Sequence, residues 1–269
     1  MGKTTGISWT DHTFNPWWGC VEVSPACDAC YARVWAERMG HQVWGKDADR
    51  RFFGEKHWNE PVHWNRQAEA AGVRRKVFCA SMADVFERND NVVDALLTNQ
   101  LDAARLRLWD LIEATPWLDW LLLTKRPHNI ISMIPMRWRD TPQPNAWFGI
   151  TVENEEFARK RFPVFRTIPN AMPWISYEPA LGRVDWLKYA GTFRWLIFGG
   201  ESGKDPRKSE AQWATDSLAA CRQLGAKFFF KQAGNALARE WGCQDKAGKD
   251  PAEWPEQFRV QEFPESIAA

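Results

Sequence analysis

The sequence predicts an α/β fold, a complete or partial (β/α) barrel of the TIM type built as a single domain. Three observations carry this. Short runs that are apolar on both faces recur along the chain, as strands buried on both sides of a parallel sheet require. Polar or amphipathic segments separate them, at the spacing of βαβ units. No G-x-G-x-x-G follows any run, which sets a dinucleotide-binding sheet aside.

Taken in order, "GISWTDHTFNP" (6–16) supplies a first strand, and the first helix opens just after Cys30. Residues 40–75, polar and rich in charge, read as an insertion between that helix and the second strand. The remaining strands are "KVFCASM" (76–82), "LDWLLLTK" (118–125), "AWFGITV" (146–152), "MPWISYEP" (172–179), "RWLIFGGES" (194–202) and "AKFFFKQAG" (226–234). Between them, 91–114 and 209–225 carry clear helical periodicity, and 155–168 is a third amphipathic segment. Gly225 is a natural helix stop. The segment 235–269, with several prolines and charges, is expected to wrap the outside as a C-terminal extension.

Composition narrows the function classes. The 269 residues carry 35 Lys plus Arg against 34 Asp plus Glu, a net charge of +1. That balance argues against a strongly basic nucleic-acid binder, although a local patch would escape it. The N-terminal stretch lacks the apolar core of a secretory leader. No run of about eighteen apolar residues occurs, so no membrane span is expected. A cytoplasmic location follows, where clustered thiols point to metal or redox chemistry rather than disulfides. The 18 tryptophans are spread over the whole chain, which favours packing over a base-stacking surface.

In parallel α/β folds the functional site lies at the C-terminal ends of the strands. The apolar runs here end in Ser81 to Asp84, Thr124-Lys125-Arg126, Thr151 to Asn154 (with Glu153), Ser176 to Pro179 (with Glu178), Gly199-Gly200-Glu201 and Lys231-Gln232. Ordinary turns favour Gly, Asn, Asp and Ser, so repeated Glu and Lys at one rim mark a candidate site. Lys125 and Arg126 suit a carboxylate or phosphate. Gly199 and Gly200 suit either a tight turn or the close approach of a ligand.

The same rim receives Cys20, Cys27 and Cys30 in a C-x6-C-x2-C arrangement. Three readings compete. A structural zinc needs a fourth ligand, for which His12 lies nearest in sequence. Lone buried cysteines are common, but three so close together are not. A [4Fe–4S] cluster held by three thiolates would leave one iron open to an exogenous ligand.

The opening "WTDHTFNPWWGCVEVSPACDACYA", with "FCASMADVF", "LLLTKRP", "GITVEN", "ISYEPALG" and "FGGESG", resembles the phage Gp37/Gp68 (DUF5131-type) group over roughly residues 6–235. More broadly, the cysteine loop is similar to that of the radical S-adenosylmethionine superfamily and of three-Cys-motif proteins. It departs from the usual C-x3-C-x2-C by three residues, and Asp28 replaces the usual aromatic. The resemblance implies a [4Fe–4S] cluster on Cys20, Cys27 and Cys30, S-adenosyl-L-methionine as cosubstrate, and a 5′-deoxyadenosyl radical that modifies a substrate. It further implies Tyr31 near the adenine, Ser81 and Asp84 near the methionine moiety, and Thr151, Glu153 and Asn154 near the ribose. Gly199, Gly200 and Glu201 would complete the cofactor pocket, with Lys125, Arg126, Glu178 and Lys231 facing substrate. An electron donor and a dedicated three-Cys-motif partner protein are the implied partners. The phage association points to a nucleic acid or nucleotide as substrate, to which the charge balance adds no support.

Two rivals stand beside this. One is a metal-dependent hydrolase or nuclease using Asp84, Glu153, Glu178 and Glu201, with zinc at the cysteines. The other is a nucleic-acid-binding accessory protein gripping a strand with Trp, Lys and Arg.

Overall fold

The computed structural model describes residues 5–88 and 95–266. In chain order the strands are β1 (His12–Thr13), β2 (Trp17–Trp18), β3 (Arg51–Phe52), β4 (Arg75–Cys79), β5 (Leu118–Thr124), β6 (Ala146–Thr151), β7 (Trp174–Tyr177), β8 (Trp195–Gly199) and β9 (Lys227–Gln232). The helices are α1 (Tyr31–Arg38), α2 (Glu55–Trp58), α3 (Glu60–Ala71), α4 (Ala95–Glu113), α5 (Pro127–Met133), α6 (Met136–Asp140), α7 (Glu155–Phe165), α8 (Ala211–Leu224) and α9 (Gly234–Glu240).

Seven strands form one sheet in the order β1-β4-β5-β6-β7-β8-β9. Every neighbouring pair is parallel. Right-handed crossovers between strands laid down in sequence put the connecting helices on one face, so the sheet curls around the other. The result is a parallel half-barrel flanked by helices, with β1 and β9 at its two edges.

All six longer runs form strands close to where the apolar residues lie. The first strand is an exception: of residues 6–16 only His12 and Thr13 pair, against Val77 and Phe78 of β4. The Asp11 and Phe14 amides extend the pairing, donating to the Lys76 and Phe78 carbonyls at 3.0 Å, and side chains add to it. Asp11 Oδ2 accepts from the Lys76 amide at 2.7 Å, and Thr10 Oγ1 donates to the Lys76 carbonyl at 2.8 Å. The predicted helices also form, α4 from residue 95 onward, its expected start at 91–94 lying outside the described residues. Helix α8 ends at Gly225, which takes the left-handed φ of +68°. The 40–75 insertion holds β3, α2 and α3, and β3 closes a two-stranded antiparallel ribbon with β2.

Packing divides by face. The helix-side core runs from Phe14 and Val77 through Trp120, Phe148, Tyr177 and Phe198 to Trp254 and Phe258 of the C-terminal segment. The inner face carries a separate cluster of Trp9, Phe78, Leu121, Trp147, Trp174, Trp195 and Phe229. Ten of the tryptophans are fully buried, which settles their main role as packing: each removes about 150–250 Å² from water. Trp35 is the tryptophan among the large exposed apolar side chains. No described helix is long and apolar enough to cross a membrane.

Candidate functional site

Side chains alternate between the two faces of a strand. Because Trp147, Trp174 and Phe229 point inward, so do Thr151, Ser176 and Lys231 further along the same strands. The inner face is therefore aromatic toward the N-terminal ends and polar toward the C-terminal ends. Above this polar end lies the cysteine loop.

The loop is fixed at its start. Asn15, fully buried, accepts from the Met82 amide at 2.7 Å through Oδ1 and donates to Ser81 Oγ at 3.2 Å. The Gly19 amide donates to the Met82 carbonyl at 2.9 Å, and Cys20 bridges in parallel to Trp44. A single 3-10 turn, Pro25–Cys27, then leads to Cys30, which caps α1. Trp18 holds α1 down by packing with Ala32, Ala36, Val43 and Met82. Tyr31 Oη donates to the Ser81 carbonyl at 3.0 Å, tying the helix start to the end of β4.

Two arginines staple the loop to the sheet. Arg126 donates to Asp84 Oδ2 at 2.8 Å, to the Val21 carbonyl at 2.7 Å and to Cys20 Sγ at 3.6 Å. Arg207 reaches Asp28, between Cys27 and Cys30, at 3.2 Å while pairing with Glu201. Burial pushes the Cys20 thiol up to about 12, with Glu87 and Asp84 adding to it and Arg126 opposing. The three thiols do not converge in this arrangement. Cys20 donates to the Val21 carbonyl at 3.3 Å, Cys27 lies 4.0 Å from Ser24 Oγ, and no three His, Cys, Asp or Glu gather as a ligand set among the described residues.

The rim carboxylates are each matched to one cation. Asp84 pairs with Arg126, Glu153 with Arg161, Glu178 with Lys231 at 2.7 Å, and Glu201 with Arg207. Glu153 is completely buried and sits beneath α7, where Arg161 also donates to the Thr151 carbonyl. Asn154 Oδ1 accepts from the Phe157 amide at 3.1 Å and caps α7. Glu153 is thus engaged by Arg161, and Asn154 Oδ1 by the α7 cap. The His12 ring stacks on Trp64 of α3, with ring centroids 4.4 Å apart, on the helix side of the sheet.

The two glycines have packing reasons. A Cβ on Gly199 would lie 2.5 Å from Glu178 Oε1, so its absence lets Glu178 reach across β8 to Lys231. A Cβ on Gly200 would lie 2.0 Å from the Ala233 carbonyl oxygen, a backbone atom with nowhere to go. Gly200→Ala is expected to cost about 3 kcal/mol, read from the urea midpoint of unfolding.

What stays open to a ligand is a narrower set. Thr151 Oγ1 is buried without a hydrogen-bond partner among the described residues, and Ser176 Oγ donates to Glu178 Oε2 at 3.3 Å. Lys125 is half-buried, with its amide on Asp84 and no carboxylate on its ammonium among the described residues. Sequence reading missed Asn15, Arg161 and Arg207. The Asn-Pro step at 15–16 was a signal for the first, while the arginines carried none.

A family model described as a protein of unknown function, DUF5131, matches residues 4–258. The chain belongs to the DUF5131 family. Comparison with curated proteins and with solved structures gave no match. In this DUF5131 protein the motif blocks that carried the resemblance fall at the ends of β4 to β8 and in the cysteine loop, around one rim.

Proposed function

We propose that this DUF5131 protein is an iron–sulfur enzyme of radical S-adenosylmethionine type, with the cluster on Cys20, Cys27 and Cys30. The observation that carries the reading is the division of labour at the rim. All four candidate carboxylates are neutralised by their own cations, so the donors left for a metal are three soft thiols on one loop. Soft thiolates select iron–sulfur clusters or zinc over hard cations, which takes support from the hydrolase reading. Arg126 places N–H groups and positive charge beside Cys20, which opposes the burial that pushes its thiol up. Loading requires residues 21–29 to draw the thiols together against the Arg126 bond to the Val21 carbonyl, one 3-10 turn and the surface ion pairs of Glu22 and Asp28.

When bound, such a cluster supplies one electron to S-adenosylmethionine and releases a 5′-deoxyadenosyl radical, for which an external electron donor is needed. The chain's own residues would bind and orient. Tyr31 and Ser81 border the cysteine loop, and Thr151, Ser176, Lys125 and the Glu178–Lys231 pair line the polar inner face beside it. Glu178 and Lys231 present one carboxylate and one ammonium, suited to a substrate with both donor and acceptor groups.

The test is anaerobic reconstitution, reduction and incubation with S-adenosylmethionine, followed by chromatography for 5′-deoxyadenosine. Release of the nucleoside is expected, and its loss when Cys20, Cys27 and Cys30 are all replaced by Ala. A cluster-loaded protein that yields none contradicts the radical assignment.

A further inference from the structure

The opposite, N-terminal end of the half-barrel carries features the rim does not use. The C-terminal segment crosses it as a strap. Gln261 bridges to Phe229 of β9, the Trp195 indole donates to the Glu262 carbonyl at 2.9 Å, and Ser266 Oγ meets Asp119 Oδ2 of β5 at 2.6 Å. Between strap and sheet lies a cavity of about 280 Å³ lined by Ser8 to Asp11, Arg74, Arg75, Lys76 and Phe263.

Three of these residues are consecutive cations against one carboxylate, and that carboxylate is spent. Asp11 meets Arg75 at 3.1 Å and the Lys76 amide at 2.7 Å, while Arg74 is held by Asp119. Lys76 has no carboxylate partner among the described residues. Its ammonium lies 5.1 Å from the Phe263 ring and 5.9 Å from that of Trp147. Trp9, only 2 % exposed, lines the same cavity, and its buried indole N–H has no acceptor among the described residues. A buried donor left unmatched is costly, and an incoming acceptor would relieve it.

We propose that this cavity binds a small organic oxyanion, a carboxylate or phosphate on a flat apolar body. Lys76 and the Trp9 N–H take the anionic oxygens, and the Phe263 ring covers the body. A ligand held there would fasten the strap to β4 and the segment before β1, at the end of the sheet away from the cysteines.

The experiment is isothermal titration at constant ionic strength with phenyl phosphate, benzoate and inorganic sulfate. Phenyl phosphate or benzoate is expected to bind well ahead of sulfate, the stronger of the two naming the anionic group. Lys76→Met should weaken binding at least tenfold, and Trp9→Phe, which keeps a ring but not the donor, about threefold to tenfold. Circular dichroism melts confirm that each variant is folded. No heat from either organic probe, sulfate binding as strongly as both, or unchanged affinity in folded Lys76→Met overturns the proposal.

Discussion

Replacing Asp84 by Ala is expected to remove about 3–5 kcal/mol of folding stability, because it strands a buried cation. Asp84 and Arg126 are nearly enclosed, and Asp84 accepts from Thr124 Oγ1 at 2.7 Å, the Phe86 amide at 3.0 Å and the Lys125 amide at 3.2 Å. Its loss empties four donors at once, and Arg126 is also the staple on Cys20 and Val21. Urea denaturation should show a lower midpoint with an unchanged slope. The double variant Asp84→Leu with Arg126→Met should recover part of the loss, since two apolar groups need no partner where one charge does.

The same carboxylate gives a signature with pH. Burial alone would raise its pKa, but Arg126 and the three other donors outweigh this and leave it below the usual value. A depressed folded pKa means the unfolded chain takes up its proton first. The contribution is therefore complete above about pH 4 and lost as the pH falls further. Asp84→Ala should flatten that part of the acid-stability curve.

The strands were legible because they are buried on both faces. "LDWLLLT" and "AWFGIT" leave little choice, and they formed within a residue or two of the apolar runs. The first strand was overread, since only two residues of "WTDHTF" form the ladder and the Asp11 and Thr10 side chains add to its backbone bonds. Convergence of charge at one rim was also legible, and four of the charged residues named there found each other: Asp84 with Arg126, and Glu178 with Lys231. What the rim charges do individually was not. Glu153 and Glu201 are neutralised by Arg161 and Arg207, whose positions depend on where α7 and the loop after β8 are carried. Contact between Cys20 and Arg126 spans 106 residues of sequence, a separation that no local pattern records. The cavity under the strap was equally hidden, because Trp9, Lys76 and Phe263 meet only once the tail has crossed the sheet.

The central claim is that the rim loop holds an iron–sulfur cluster, and metal content decides it. After anaerobic purification and reconstitution, the protein should contain about four iron and four sulfide per chain. Replacing Cys20, Cys27 and Cys30 by Ala should abolish both, whereas the same change at Cys79, Cys221 and Cys243 should leave them in place. A colourless protein with one zinc and no iron, or iron that survives the triple substitution at the loop, would contradict the account.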